Sequence, residues 1–206
     1  MILISGTSRG LGSSLYKYFK SKSYDTYSIN KRKAGANNFL IDLNDRKINF
    51  SSIECTFAKY KKIVFISNAS IISPIGKFDK VAIDSNIEDF MYTNYINPAK
   101  IIFSIINSEK KFIIINISTG AALSSNQGLS LYSSSKAAKH RFIDIIKIEN
   151  LHNNNALYVD NFDPGRMKTA MQKKLLDYND THESEYSFSD TEDIAKKIFK
   201  LIKSAL

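Results

Sequence analysis

A tyrosine and a lysine stand four positions apart, at Tyr132 and Lys136. On a helix this spacing puts both side chains on one face, one turn apart. The pKa of a free phenol is about 10, and a lysine cation beside it favours the phenolate and so lowers the pKa of the phenol. The pair is therefore a candidate proton donor to a carbonyl group undergoing reduction. The same spacing is also that of an ordinary pair on a helix surface.

Two hydroxyl side chains, Ser118 and Thr119, stand upstream of this pair. They follow Lys111–Ile117, which is the strongest apolar strand pattern of the chain. A hydroxyl at that point can hold the oxygen of a substrate carbonyl. The sequence therefore predicts a carbonyl-binding hydroxyl just before the helix that carries Tyr132.

A glycine-rich turn joins the first apolar run to an amphipathic helix, with glycines at Gly6, Gly10 and Gly12. The first allows a tight turn, the second allows a ligand to approach the backbone, and the third allows close packing of helix on strand. The start of the helix then offers free N–H groups to an anion, here the pyrophosphate of a nucleotide. The expected cofactor-binding residues of this turn are Gly6, Ser8, Arg9, Gly10 and Leu11.

Short apolar runs alternate with amphipathic stretches along the chain. The predicted strands are Met1–Ser5, Asp25–Asn30, Asn38–Ile41, Lys62–Ser67, Lys111–Ile117 and Ala156–Asn161. The first predicted helix runs through Leu11 and Phe19, and a weaker one covers Arg46–Tyr60. The next two cover Ile87–Ser108, with a bend before Pro98, and Leu131 to Asn150. A capping box of Ser189 and Glu192 begins the last helix. This alternation predicts an α/β fold with a doubly wound parallel sheet, whose ligand lies beyond the carboxyl ends of the strands.

Composition excludes several classes of protein. The 206 residues are 43% hydrophobic, which suits one globular domain over residues 1–206, and the net charge of +9 comes from scattered lysines rather than from a basic block. We therefore expect no nucleic-acid partner. No run approaches the roughly 20 apolar residues of a membrane span, and no secretory pattern opens the chain, so the cytoplasm is the expected location. The single Cys55 excludes an internal disulfide and a cysteine zinc site, and no metal is expected.

The motifs together resemble the short-chain dehydrogenase/reductase family. Ser5 to Gly12 is similar to the family's T-G-x-x-x-G-x-G, with Ser5 in place of threonine, and Tyr132 to Lys136 matches its Y-x-x-x-K. The further matches are Ser67-Asn68-Ala69-Ser70 to N-N-A-G, Asn94 to the helix asparagine, Asp42-Leu43 to the segment whose acidic residue lies near the adenine ring, and Pro164 to Thr169 to P-G-x-x-x-T. The Ser118 to Ala122 run resembles the compact sepiapterin or benzil reductase type.

The resemblance implies roles for these residues. Tyr132 donates the proton, Lys136 lowers its pKa and binds the ribose, and Asn94 holds a relay water. The catalytic serine of the family precedes its tyrosine by thirteen positions, which points to Thr119, while a local shift would leave the role to Ser118. The other cofactor contacts that the resemblance implies are Asp42, Leu43, Asn68, Ala69, Pro164, Gly165, Met167 and Thr169.

The resemblance also implies a nicotinamide cofactor, and the second strand ends without the acidic residue typical of NAD sites. Arg9, with Lys31 or Arg32, is a candidate clamp for a 2′-phosphate, so NADP is expected in preference to NAD. The expected function is reduction of a ketone or aldehyde, or oxidation of the alcohol. The alternative is a catalytically weak nucleotide-binding sensor or scaffold on the same fold.

The family's seventh strand has no counterpart here, so the expected fold is a single Rossmann-like sheet of six strands in the order 3-2-1-4-5-6. Residues 170–188 are the predicted substrate lid. We expect a small-molecule carbonyl or alcohol substrate and no membrane partner. A homodimer through the helices that carry Asn94 and Tyr132 is left open, and a tetramer is disfavoured.

Overall fold

The computed structural model describes residues 1–32, 37–77, 87–180 and 182–206. Position 181, inside the predicted lid, lies outside the described residues. Across the described ranges, six strands form one parallel sheet in the order β3-β2-β1-β4-β5-β6, which confirms the predicted fold class and strand order. The strands are β1 (Ile2–Ser5), β2 (Thr26–Asn30), β3 (Asn38–Leu40), β4 (Lys62–Ser67), β5 (Lys111–Ile117) and β6 (Ala156–Phe162).

Helices lie between and after the strands. They are α1 (Gly10–Ser21), α2 (Ser51–Phe57), α3 (Ile87–Met91), α4 (Asn97–Asn107), α5 (Ser130–Glu149), α6 (Ala170–Asn179) and α7 (Thr191–Ala205). A π-helical turn, Tyr92–Ile96, joins α3 to α4 directly before Pro98, where the sequence predicts a bend. Single 3-10 turns cover Gly120–Ala122 and Glu183–Glu185.

The starts of α2 and α7 differ from those that the sequence predicts. The helix expected over Arg46–Tyr60 begins only at Ser51, whose N–H donates to the side chain of Asn49. The last helix is capped by Asp190 instead of Ser189, because the Asp190 carboxylate accepts the N–H of Glu192 at 2.7 Å. The carboxylate is the stronger acceptor at a helix N-terminus.

The sheet is covered on both faces, which explains its almost uninterrupted apolar strands. Alternate strand residues face opposite sides: Leu3 and Phe65 belong to the cluster that packs against α2, α4 and α5, whereas Ile4 and Ile66 belong to the cluster that packs against α1 and α7. In the part of the chain that the structure describes, no helix is both long and apolar enough to cross a membrane. Because the strands are parallel, the carboxyl ends of β1, β4, β5 and β6 lie at one edge of this buried sheet.

Candidate active site

The Tyr132 phenol lies in the first turn of α5, at the carboxyl edge of the sheet. Its side chain is almost fully buried, with 8% of its surface exposed. Burial raises the pKa of Tyr132 to about 12, Asp163 raises it further, and hydrogen bonds from the hydroxyls of Thr119 and Ser70 oppose this rise. The phenol is therefore protonated at neutral pH and is flanked by two hydroxyl groups.

Lys136 lies one turn further along α5 and is 2% exposed. Its Nζ donates to the backbone oxygen of Ile117, at the end of β5. Burial lowers the pKa of Lys136 to about 8, against the opposing charge of Asp163. Lys136 is not among the groups that influence the pKa of Tyr132 in this structure, and the expectation that it lowers this pKa stays a prediction. The pKa of the phenol is raised because burial outweighs the other influences on it.

The two candidate hydroxyls that follow β5 have different surroundings. Ser118 is 5% exposed, and its Oγ lies 2.7 Å from Nδ1 of His140. Thr119 is partly exposed, and its Oγ1 accepts the N–H of Ala121 at 3.3 Å. Of these two hydroxyls, only that of Thr119 influences the pKa of the Tyr132 phenol.

Asn94 is fully buried in the π-helical turn, and four hydrogen bonds occupy its amide. Its Oδ1 accepts from the N–H of Ile71 at 2.9 Å and from Ser70 Oγ at 3.1 Å. Its Nδ2 donates to the oxygen of Ile71 at 3.0 Å and to Ser135 Oγ at 2.9 Å. Since Ser135 Oγ in turn donates to the backbone oxygen of Tyr132, Asn94 ties the segment after β4 to the start of α5.

The glycine turn is fixed by steric contact. A Cβ at Gly6, where φ is +73°, would lie 2.8 Å from Cα of Ala69, and a Cβ at Gly12 would overlap the backbone oxygen of Gly6. Gly10 also has a positive φ, +57°, and faces the methyl group of Thr169. Glycine is the residue that fits these three positions.

The start of α1 suits an anion. The side chain of Arg9, the residue before α1, makes no capping hydrogen bond within the described residues. Ser8 and Arg9 are exposed, whereas the Leu11 side chain is buried in the core, so that Leu11 offers only its backbone. The free N–H groups of this helix start, with no acidic residue in its first turn, match the requirements of a pyrophosphate.

Asn68 and Ala69 hold the glycine turn against β4. The backbone N–H groups of both residues donate to Ser5 Oγ at 3.0 Å. The Asn68 side chain donates to the oxygens of Ser5 and Gly6, both at 3.1 Å. Ser5, which stands where the family pattern has threonine, thus supplies the hydroxyl that joins β1 to the segment after β4.

The end of β2 presents an amide instead of a carboxylate. Asn30 donates to Thr7 Oγ1 at 2.7 Å and accepts the N–H of Thr7 at 2.8 Å, which ties β2 to the glycine turn. Lys31 lies 3.8 Å from a carboxylate oxygen of Asp42. The remaining residues expected near the adenosine are Arg32, which is exposed, and Leu43, whose side chain is buried in the core.

The segment after β6 approaches the glycine turn. Pro164 is buried, and Gly165, with φ of +70°, donates its N–H to Asp163 Oδ1 at 2.8 Å. Thr169 caps α6 by accepting the N–H of Gln172, and its methyl group is the part that faces Gly10. Met167 forms an isolated parallel β-bridge with Ser189, and these two residues flank the predicted lid.

Three residues of this site escape the sequence analysis: Asp163, Lys139 and His140. Asp163 lies close enough to influence the pKa values of both Tyr132 and Lys136. His140 follows Lys136 by four positions, so helical spacing alone indicates its side of α5. Lys139 is fully buried, and no pattern distinguishes it from the many surface lysines of the chain.

Known proteins share this sequence pattern and fold. The sequence model of the family described as short chain dehydrogenase matches residues 1–180. A benzil reductase ((S)-benzoin forming) of Bacillus subtilis (strain 168) is 24% identical over 188 residues, which cover 84% of this chain and 76% of the relative. The structure of ElxO with NADP bound superposes with a TM-score of 0.80 at 19% identity, covering 97% of this chain and 90% of that one.

A 4-hydroxyisoleucine dehydrogenase mutant complexed with NADH and succinate superposes with a TM-score of 0.82 at 19% identity, covering 100% of this chain and 93% of the other. At such identities the structural likeness establishes the fold. The family match covers most of the sequence, and the chain belongs to the short-chain dehydrogenase family, a family of oxidoreductases.

Proposed function

We propose that the protein reduces a ketone or aldehyde to an alcohol with NADPH, and that Tyr132 donates the proton. The observation that carries this proposal is the buried, protonated phenol flanked by the hydroxyls of Thr119 and Ser70 at the carboxyl edge of the sheet. A general acid must hold its proton when the substrate binds, and the phenol does so at neutral pH. Proton transfer is most efficient when the pKa of the acid lies near the operating pH, and a cation brought beside the phenol would lower its pKa in that direction. The reverse oxidation uses the same groups.

The residues of the glycine turn fit a dinucleotide. The backbone of Gly6, Ser8, Arg9, Gly10 and Leu11 would hold the pyrophosphate, and the segment from Pro164 through Gly165 and Met167 to Thr169 would meet the carboxamide. When bound, a nicotinamide cofactor supplies the hydride. Lys136 is proposed to turn from the oxygen of Ile117 towards the ribose, and it places a cation near the phenol there.

We assign the preference for NADP to Arg9 and Arg32. Both side chains are exposed, Arg9 in the glycine turn and Arg32 just after β2. The end of β2 offers the Asn30 amide in place of a carboxylate that would repel a 2′-phosphate. Lys31 contributes less to this proposed clamp because it lies beside Asp42. Among the solved structures with this fold, one carries NADP and another NADH, so the fold itself accommodates both.

The substrate is proposed to be an uncharged carbonyl compound with apolar substituents. Tyr132 belongs to an apolar cluster with Ile72 and Leu129, and the α6 side chains Met171 and Leu175 pack against it. Residues 170–188 would thus act as a lid whose inner side is apolar. Benzil reductase is the activity named for the Bacillus subtilis relative, and it agrees with such a wall.

Thr119 is proposed as the hydroxyl that holds the substrate carbonyl, because its side chain lies beside the phenol whereas the Ser118 hydroxyl is bonded to His140. Asn94 supports this arrangement by tying α5 to the segment after β4. Replacing Thr119 by alanine should therefore reduce kcat far more than replacing Ser118, and the opposite ranking would assign the role to Ser118.

The proposal includes a homodimer through α4 and α5. Phe103 of α4 is 49% exposed and packs against Phe142 of α5, with Tyr95 beside it. Ile145 and Ile148 are also exposed on α5. A surface with this many apolar side chains favours contact with a second copy, and sedimentation velocity of the wild type against Phe103→Glu tests it.

The central experiment follows NADPH absorbance while a panel of ketones and aldehydes is offered, with benzil and small charged oxo acids as its two extremes. We expect consumption of NADPH with the apolar carbonyls, and its loss in Tyr132→Phe. NADPH binding without turnover of any panel member would contradict the proposal and favour a nucleotide-binding sensor.

A further inference from the structure

Two side chains of α5 hold two consecutive residues at the end of β5. Lys136 donates to the backbone oxygen of Ile117, and one turn later His140 lies 2.7 Å from the Ser118 hydroxyl through Nδ1. The next residue is Thr119, which begins the 3-10 turn Gly120–Ala122. The position of Thr119 is therefore set by contacts that residues 117 and 118 make with α5.

The surroundings of His140 determine the direction of its hydrogen bond with Ser118. Asp144 Oδ2 lies 3.7 Å from Nε2, on the opposite side of the ring from Ser118. Asn161 donates to Asp144 Oδ1 at 2.8 Å and to the backbone oxygen of His140 at 3.0 Å, which fixes both residues. A carboxylate on this side favours the proton on Nε2, and we therefore assign Nδ1 as the acceptor and the Ser118 hydroxyl as the donor.

This contact is well shielded from solvent. Ser118 is 5% exposed, and the side chain of His140 is 18% exposed. The backbone N–H of Ser118 also donates to the oxygen of Phe162 in β6, at 2.8 Å. The side chain and backbone of Ser118 are thus held by two different elements, α5 and β6, immediately before the partly exposed Thr119.

We propose that His140 is a positioning residue for Thr119. By accepting from Ser118, it fixes the orientation of the peptide that leads into the turn, and so the place of the Thr119 hydroxyl beside Tyr132. The inference rests on the proposed function, because it gives Thr119 a role at the substrate carbonyl. His140 acts through Ser118 and touches neither the substrate nor the cofactor.

The kinetic test uses His140→Leu, which removes the acceptor, and His140→Asn, whose Oδ1 can take the place of Nδ1. We expect His140→Leu to lower kcat by about five- to tenfold with KM and the Kd for NADPH nearly unchanged, because an interaction made only in the transition state is weakened. His140→Asn should recover most of the loss. A variant with only a packing defect would not be rescued by the smaller, polar asparagine.

A double-mutant cycle with Ser118→Ala tests whether the two residues act together. Ser118→Ala alone should resemble His140→Leu, and combining the two should cost no more than either one. The serine variant removes a single oxygen, so it keeps the question open to experiment if His140→Leu fails to fold. Additive losses, or an unchanged kcat in both single variants, would overturn the proposal.

A readout without catalysis separates this inference from the proposed function. In two-dimensional amide NMR spectra of the protein, we expect the Thr119 cross-peak to shift in His140→Leu and in Ser118→Ala, and to return towards its wild-type position in His140→Asn. If the wild type reduces no carbonyl, the proposed function fails while these spectra still decide the positioning role. An unmoved Thr119 signal in both of the first two variants would refute it.

Discussion

The glycine turn and the start of α5 face each other across the carboxyl edge of the sheet, yet they are built by different forces. The glycine turn is held by steric fit and by neutral hydrogen bonds, such as those from Asn68 to the oxygens of Ser5 and Gly6. The α5 side holds two fully buried lysines, Lys136 and Lys139, beside a buried phenol. The conformation of the glycine turn therefore depends on steric fit, whereas the pKa values on the α5 side depend on the burial of its ionisable groups.

This difference separates binding from chemistry. Changes in the glycine turn should act through cofactor affinity and folding, because its groups carry no charge that a reaction alters. Changes on α5 should act through proton transfer and the pH dependence of stability, because burial has moved the pKa values of its groups.

The largest expected effect is that of Tyr132→Phe, on the α5 side. Removing one oxygen leaves the packing of the ring, so kcat should fall by roughly 10² or more, as for the loss of a general acid. The Kd for NADPH, measured by calorimetry, should hardly move. Lys136→Ala, by contrast, should lower kcat and also weaken the binding of NADPH. Wild-type turnover in Tyr132→Phe would assign the proton transfer to another group.

Gly12→Ala should give the largest effect on the opposite side. Its Cβ would overlap the backbone oxygen of Gly6, so the turn has to open. We expect a lower melting temperature and at least about a tenfold weaker NADPH affinity, since the helix start no longer meets the pyrophosphate. Gly120→Ala is the matched control, because a Cβ there meets only a carboxylate oxygen at 3.8 Å. Equal effects of the two changes would contradict the steric account.

The same division between steric fit and electrostatics separates the features that the sequence predicts from those that it does not. Alternating apolar runs predict the six strands, and glycine spacing predicts the turn, because both depend on local sterics and periodicity. The order of the strands comes from the family resemblance. The burial that raises the pKa of Tyr132 could not be predicted from the sequence, because the depth of burial is a property of the folded chain. The spacing to Tyr132 points to Thr119 but leaves Ser118 open. The structure distinguishes the two residues because the Ser118 hydroxyl is bonded to His140, 22 positions away, whereas the Thr119 hydroxyl influences the Tyr132 phenol.

A smaller effect is expected from Arg9→Ala combined with Arg32→Ala. If these side chains clamp a 2′-phosphate, the ratio of NADH to NADPH dissociation constants should fall by about tenfold, since two exposed charge pairs together contribute on the order of 1.4 kcal/mol. NADH affinity should stay the same, which separates a lost clamp from a damaged turn. Calorimetry with both cofactors measures the ratio, and an unchanged ratio would remove these arginines from cofactor selection.

The smallest expected effect concerns Lys139, which is fully buried and whose Nζ donates to Ser67 Oγ at 3.2 Å. Burial, reinforced by the charge of Lys136, holds the pKa of Lys139 well below its usual value. The unfolded chain therefore binds more protons than the folded one between the lowered pKa and about pH 10.4, so this lysine makes stability rise with pH in that window.

Lys139→Met should accordingly stabilise the fold at neutral pH, with a gain of about 2–4 °C in melting temperature for each kcal/mol recovered in a chain of this size. Methionine fills a similar volume and carries no charge to desolvate. The variant should also show a shallower rise of melting temperature with pH than the wild type. Lys200→Met, an exposed lysine of α7, is the matched control and should change neither quantity. If Lys139→Met instead lowers the melting temperature and keeps the wild-type slope, the hydrogen bond to Ser67 outweighs the desolvation of the amine, and Lys139 stabilises the sheet edge instead of straining it.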